Sequence, residues 1–250
     1  MEPCIATRAL TRQFDGLRAV DSLDLTVERG CFFGFLGPNG AGKSTTIKML
    51  TGLLAPSSGG ATILGHDLDR DPLAIKRRIG VIPEDLALFD NLTGREYLTF
   101  IGRMHGLPAP TLRARSDELL GLMQLDGDRG LTLEYSHGMK KKLAFAAALI
   151  HDPALLFLDE PFEGVDAVAS RTLRDILARY VTRGSTVFLT SHVLEIVEKL
   201  CSHVGIIDKG RLAWQGPLGE LGPRGSLEER FIALVGRPDD GQTHLEWLQA

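Results

Sequence analysis

The chain has 250 residues, 44% hydrophobic and 24% charged, an ordinary soluble composition long enough for one large α/β domain or two lobes. Its formal charge of −4 excludes a broad electrostatic nucleic-acid binder. Cys4, Cys31 and Cys201 are odd in number and far apart, which excludes a disulfide framework and zinc-type spacing and suits a reducing compartment. No apolar run reaches the length of a membrane span and the N-terminus carries no signal peptide, so Asn91-Leu92-Thr93 reads as a chance match to the glycosylation pattern.

Residues 5–30 alternate apolar and polar in places, as in Ala19-Val20-Asp21-Ser22-Leu23, and Glu28-Arg29-Gly30 closes the strands with a turn. Phe14 stands apart from the alternation and reads either as a ring for stacking or as a packing residue. Cys31 to Leu36 is a short buried strand leading into Gly37-Pro38-Asn39-Gly40-Ala41-Gly42-Lys43-Ser44-Thr45. This is glycine, four residues, then Gly-Lys-Ser: a phosphate loop between strand and helix. Its glycines let backbone N–H groups converge on an anion, and the following helix adds its positive end. Lys43 would reach the β/γ-phosphates of a nucleotide, and the Ser44 hydroxyl would hold Mg²⁺.

Residues 45–55 are expected as helix, Pro56 to Gly60 as a turn, Ala61–Leu64 as a strand, Gly65-His66-Asp67 as a turn and Ile79–Pro83 as a buried strand followed by Glu84. From Leu86 the spacing turns helical, over 94–106, 110–125 and Met139–Ile150, with Ser136 as N-cap: a helical lobe inserted into an α/β core. Leu155-Leu156-Phe157-Leu158-Asp159-Glu160 reads as a parallel-sheet strand whose C-terminal end meets a ligand. Asp159 could hold Mg²⁺ directly or through water, and Glu160 could polarise a water. A helix over 167–183, a strand ending at His192, a helix over 193–200, a hairpin turning on Asp208-Lys209-Gly210 and a helix over 227–235 complete the chain, with a polar tail from 236 to 250.

In this order, over roughly residues 4–235, the motifs resemble the ATP-binding cassette (ABC) ATPases, and among them the stand-alone ATP-binding subunit of a membrane transporter. The resemblance implies a RecA-like P-loop core (4–84 and 154–218) with an antiparallel β subdomain and an inserted α-helical subdomain (85–153). It implies ATP and Mg²⁺ as ligands, Phe14 on the adenine, Thr45 at the α-phosphate, Asp159 on Mg²⁺, Glu160 as catalytic glutamate and His192 as the γ-phosphate switch. Glu84 stands where glutamine is usual, a carboxylate facing Mg²⁺ and the water. The family's Leu-Ser-Gly-Gly-Gln signature reads Tyr135-Ser136-His137-Gly138-Met139 here, keeping Ser136 and Gly138. Lys140, Lys141 and Lys142 behind it read either as helpers of a nearby phosphate or as a solvated face.

The resemblance further implies a head-to-tail dimer, with a second copy or a homologous subunit, in which Ser136 and Gly138 of one chain close on the other's ATP and Asp166 lies in the loop between them. It also implies an integral membrane permease docked near residues 85–100, on the cytoplasmic side of the cell membrane. Leu86, Leu88, Phe89 and Leu92 are candidates for that contact or for ordinary core. The Glu84 and Tyr-Ser-His-Gly variants resemble exporter systems. Two other readings are a soluble cassette ATPase acting on ribosomes or DNA, and a regulatory module that binds ATP without turning it over.

Overall fold

The computed structural model describes residues 2–221 and 226–236. In chain order its elements are β1 (Ile5–Phe14), β2 (Leu17–Leu23), β3 (Thr26–Val27), β4 (Phe32–Leu36), α1 (Lys43–Leu50), β5 (Ser58–Ile63), β6 (His66–Asp67), α2 (Pro72–Lys76) and β7 (Ile79–Ile82). Then come α3 (Gly94–Met104), α4 (Ala109–Leu122), α5 (His137–Leu149), β8 (Leu155–Asp159), α6 (Ala167–Thr182), β9 (Thr186–Thr190), α7 (Leu194–Leu200), β10 (His203–Asp208), β11 (Arg211–Pro217) and α8 (Ser226–Val235). The expected polar tail lies outside the described residues from 237 onward.

Two sheets organise these elements. The first is antiparallel, ordered β2-β1-β5-β6, with β3 on β1; the second is ordered β11-β10-β4-β9-β8-β7. In the second, β10, β4, β9, β8 and β7 pair in parallel and only β11 is antiparallel. Because side chains alternate across a strand, each parallel strand feeds two cores. Phe32, Leu36, Leu156, Leu158, Val187 and Leu189 face one, shared with α3–α7. Phe33, Phe35, Leu155, Phe157 and Phe188 face the other, shared with α1 and the antiparallel sheet. The residues of β4, β8 and β9 are buried throughout, which is why they read as continuous apolar runs.

Three local expectations change. The helix after the phosphate loop stops at Leu50 rather than 55, because Gly52 adopts φ 67° and the N–H groups of Leu53 and Leu54 turn back to the Lys48 carbonyl. Ser58-Gly59-Gly60 is strand, not turn: β5 crosses a register shift in β1 between Arg8 and Thr11, and a Cβ on Gly59 would lie 2.2 Å from the Ala9 carbonyl oxygen. The next turn falls on Leu64-Gly65, both at positive φ, which frees His66-Asp67 to pair with β5.

Phe188 lies against Phe33, Phe35 and Phe157, with ring centroids 5.5, 5.3 and 5.5 Å away, and so pins β4, β8 and β9 together from one side. Phe188→Ala should cost about 3–5 kcal/mol of stability in urea unfolding. A loss below about 1 kcal/mol would show that these strands are held by something else.

Candidate functional site

The parallel strands end together, and the site is built on those ends. Beyond β4, residues 37–42 turn under a cavity of about 330 Å³ lined by Ala19, Asn39, Gly40, Gly42, Lys43, Ser44, Thr45, Glu84, Asp159, Glu160, Glu163 and His192. Two glycines are dictated by close approach. A Cβ on Gly37 would lie 2.4 Å from the Ile207 carbonyl oxygen, and one on Gly42, at φ 110°, 2.5 Å from that of Ala19. Gly42 begins α1, whose first-turn N–H groups form an anion-binding end. The Lys43 ammonium folds back to donate to the carbonyl oxygens of Gly37 (2.7 Å) and Pro38 (3.2 Å), which braces the loop. Ala41 is buried beneath it.

Two segments bring carboxylates to the same cavity, and a third brings the histidine. Glu84 follows β7 and accepts from the Ser44 hydroxyl at 3.1 Å. Asp159 ends β8, almost fully buried, and accepts from the Thr190 hydroxyl at the end of β9. The same Thr190 oxygen accepts from the Glu160 N–H at 3.1 Å. Glu160 occupies the left-handed region at φ 46°, uncommon for a glutamate, and its carboxylate meets His192 Nδ1 at 3.0 Å. Glutamate and histidine, read from separate strands, are thus brought into contact.

The remaining predicted residues lie outside that lining. Phe14 ends β1, 40% exposed, with the Arg12 guanidinium 4.5 Å above its ring. Ser136 caps α5, its hydroxyl accepting from the Met139 N–H at 3.2 Å. Gly138 packs on the loop after β8, where a Cβ would come 3.3 Å from the Gly164 carbonyl oxygen. Asp166 caps α6 through the Ala169 N–H at 2.8 Å, and that bond, with Lys142 nearby, holds its carboxyl below the usual range.

Three residues at the site have no assigned role in the sequence pattern: Ala19, Glu163 and Thr190. Lys141, read either as a phosphate helper or as part of a solvated face, does not lie on a solvated face. It is 1% exposed and donates to the Glu160 carbonyl oxygen at 2.6 Å. Leu143 to Leu149, the helical stretch that follows it, is buried throughout, and its unbroken apolar run is a legible signal that this part of α5 lies inside.

A second cavity, about 410 Å³, runs between β7, α3 and α5, with Leu86 and Leu88 in its lining; both also pack on the core. Leu92 packs on the core as well. Phe89 is 53% exposed and stacks edge-on with Phe100 at 5.1 Å, beside the exposed Met104 on the same helix as Phe100. In that groove the His105 and His151 rings stack at 3.6 Å.

The family model described as ABC transporter matches residues 20–163. A daunorubicin/doxorubicin resistance ATP-binding protein of Streptomyces peucetius is 40% identical over 243 residues, covering 97% of this chain and 72% of that one. A bacitracin transport ATP-binding protein of Bacillus licheniformis is 38% identical over 226 residues, covering 90% and 73%. Among solved structures, an ATP binding subunit of an ABC transporter superposes with TM-score 0.86 at 31% identity, over 92% of this chain and 99% of that one. A dimeric cassette in a post-hydrolysis state with ADP and Pi, 22% identical with TM-score 0.78 over 86% of this chain and 98% of that one, shares the fold.

Burial, reinforced by the adjacent His105, pushes His151 from its ordinary 6.5 down to about 4. The folded chain therefore keeps it neutral where the unfolded chain takes up a proton. Its share of stability is complete above about pH 6.5 and lost as pH falls toward 4. Between pH 7 and pH 5 the urea midpoint of the native chain should fall, and that of His151→Gln should fall less; equal losses would contradict the assignment.

Proposed function

This chain belongs to the ABC transporter family as an ATP-binding, ATP-hydrolysing subunit, and we propose that its carboxylate-lined cavity is the hydrolytic site, with Glu160 activating the water. The observation that carries the reading is the Glu160–His192 contact of 3.0 Å at the mouth of a loop braced by Lys43. Backbone N–H groups of residues 37–45, with Lys43, bind the β- and γ-phosphates, and Thr45 reaches the α-phosphate. Phe14 serves the adenine from the end of β1, outside the cavity proper.

Ser44, Glu84 and Asp159 offer hard oxygen donors that suit Mg²⁺. Among the described residues no group of three or more His, Cys, Asp or Glu forms a self-sufficient cation site. Mg²⁺ is commonly held by one or two carboxylates together with nucleotide phosphates. When bound, Mg²⁺ neutralises charge on the phosphate oxygens. Glu160 takes a proton from the water as its oxygen bonds to the γ-phosphorus; the bond from that phosphorus to the bridging oxygen breaks, and ADP keeps the electron pair. His192 orients the water and the Glu160 carboxylate.

We assign Ser136 and Gly138 to the ATP of a second copy, or of a homologous subunit, and Asp166 to the loop between them. The serine hydroxyl, the close-packed glycine and the helix end form an anion-binding end that lies outside the lining of their own chain's cavity. ATP then bridges two chains, and loss of phosphate parts them. The groove beside Leu86 and Leu88, with the Phe89–Phe100 pair, takes the permease, on the cytoplasmic side of the membrane. No described helix is long and apolar enough to cross a membrane. The core is assigned to 4–84 and 154–218 and the helical subdomain to 85–153. Likeness to resistance and antibiotic-transport subunits supports export.

Glu160→Gln should bind ATP and dimerise while hydrolysing it about 10²-fold or more slowly. Phosphate release at the native rate would remove Glu160 from this role. Lys43→Ala should abolish most ATP affinity in a calorimetric titration; unchanged affinity would reject the phosphate-loop assignment.

A further inference from the structure

A lysine that is 1% exposed demands a reason, because burying an ammonium opposes folding unless it is paired. Lys141 lies on the apolar face of α5, where a methionine would pack without that penalty. Instead its ammonium donates to the Glu160 carbonyl oxygen at 2.6 Å. Burial holds its pKa below the ordinary lysine range, while Glu163, Glu160, Glu84 and Asp159 oppose that shift and favour the charged form.

The bond falls on a critical residue. Glu160 is held at φ 46°, a conformation that needs fixing from outside. Its two backbone groups are fixed by side chains of different elements: the N–H by Thr190 from β9, the carbonyl by Lys141 from α5. The carboxylate is then free to face His192.

The same stretch of α5 grips the loop beyond Glu160 at further points. Lys142 pairs with Asp166 at 3.6 Å, and a Cβ on Gly164 would lie 2.7 Å from His137 Cδ2. The start of α5 and residues 160–166 therefore form one packed body.

We infer that Lys141 is a positioning residue for Glu160, locking its carboxylate at the reacting centre and tying it to the helix end that faces the second copy. The inference rests on the reading of Glu160 as the group that activates water. Its consequence is that seating Ser136 and Gly138 on one ATP sets the glutamate over the other.

Lys141→Met and Lys141→Arg in the full chain test it, with kcat and KM for ATP hydrolysis, ATP titration and a thermal melt. Lys141→Met should lower kcat about tenfold or more while KM and ATP affinity stay within about twofold, and Lys141→Arg should recover most of the loss. Native kcat in Lys141→Met, beside a slow Glu160→Gln control, overturns the inference alone. A Glu160→Gln control with native kcat overturns the reading beneath it. If Lys141→Met loses ATP affinity and thermal stability along with turnover, Lys141 is a packing or charge-balancing residue, and the inference fails.

Discussion

The constraint on which the molecule depends is the in-register parallel pairing of β7, β8, β9 and β4. Ile82 pairs with Leu158, Asp159 with Thr190, and Phe35 with Thr190, so the strands end along one edge. Whatever comes after each strand is delivered to that edge: Glu84, Asp159-Glu160, His192 and the phosphate loop. The apolar faces behind it fix the strands, and the polar groups carry the chemistry. This is how open parallel sheets come to bind ligands at their carboxyl ends.

The edge is rich in negative charge. Glu84, Asp159, Glu160 and Glu163 line one cavity together with Lys43 and His192, and Lys141 is buried close behind. Such a cavity suits a cation and a phosphate chain arriving together better than either alone. Glu84 in place of the family's usual glutamine adds to that balance, and its bond with the Ser44 hydroxyl joins the loop after β7 to the start of α1.

Much of this is legible in the sequence. The phosphate loop carries its own spacing, and a strand buried on both faces announces itself by an unbroken apolar run, as Leu155–Leu158 does. Other features need the third dimension. Gly59-Gly60 looks like a turn because glycine pairs are usually turns; only the bulge in β1 makes them strand. His66 and Asp67 become strand once the turn moves to Leu64-Gly65, a shift that two positive φ values decide. Thr190 looks like one more β-branched strand residue, and its bridge between Asp159 and the Glu160 N–H depends on strand neighbours 31 and 30 residues away in sequence. Lys141 is hidden by its neighbours: three consecutive lysines suggest a solvated run, and helical geometry separates them.

The central claim is that two chains close on ATP with its phosphates against Lys43 of one and the Ser136–Gly138 helix end of the other. A crystal structure of Glu160→Gln with ATP and Mg²⁺ tests it most directly. The account predicts two head-to-tail copies with the γ-phosphate in hydrogen-bond contact with both Lys43 and the second copy's Ser136. Nucleotide bound away from Lys43, or held against Lys43 with the second copy's helix end turned elsewhere, would contradict it.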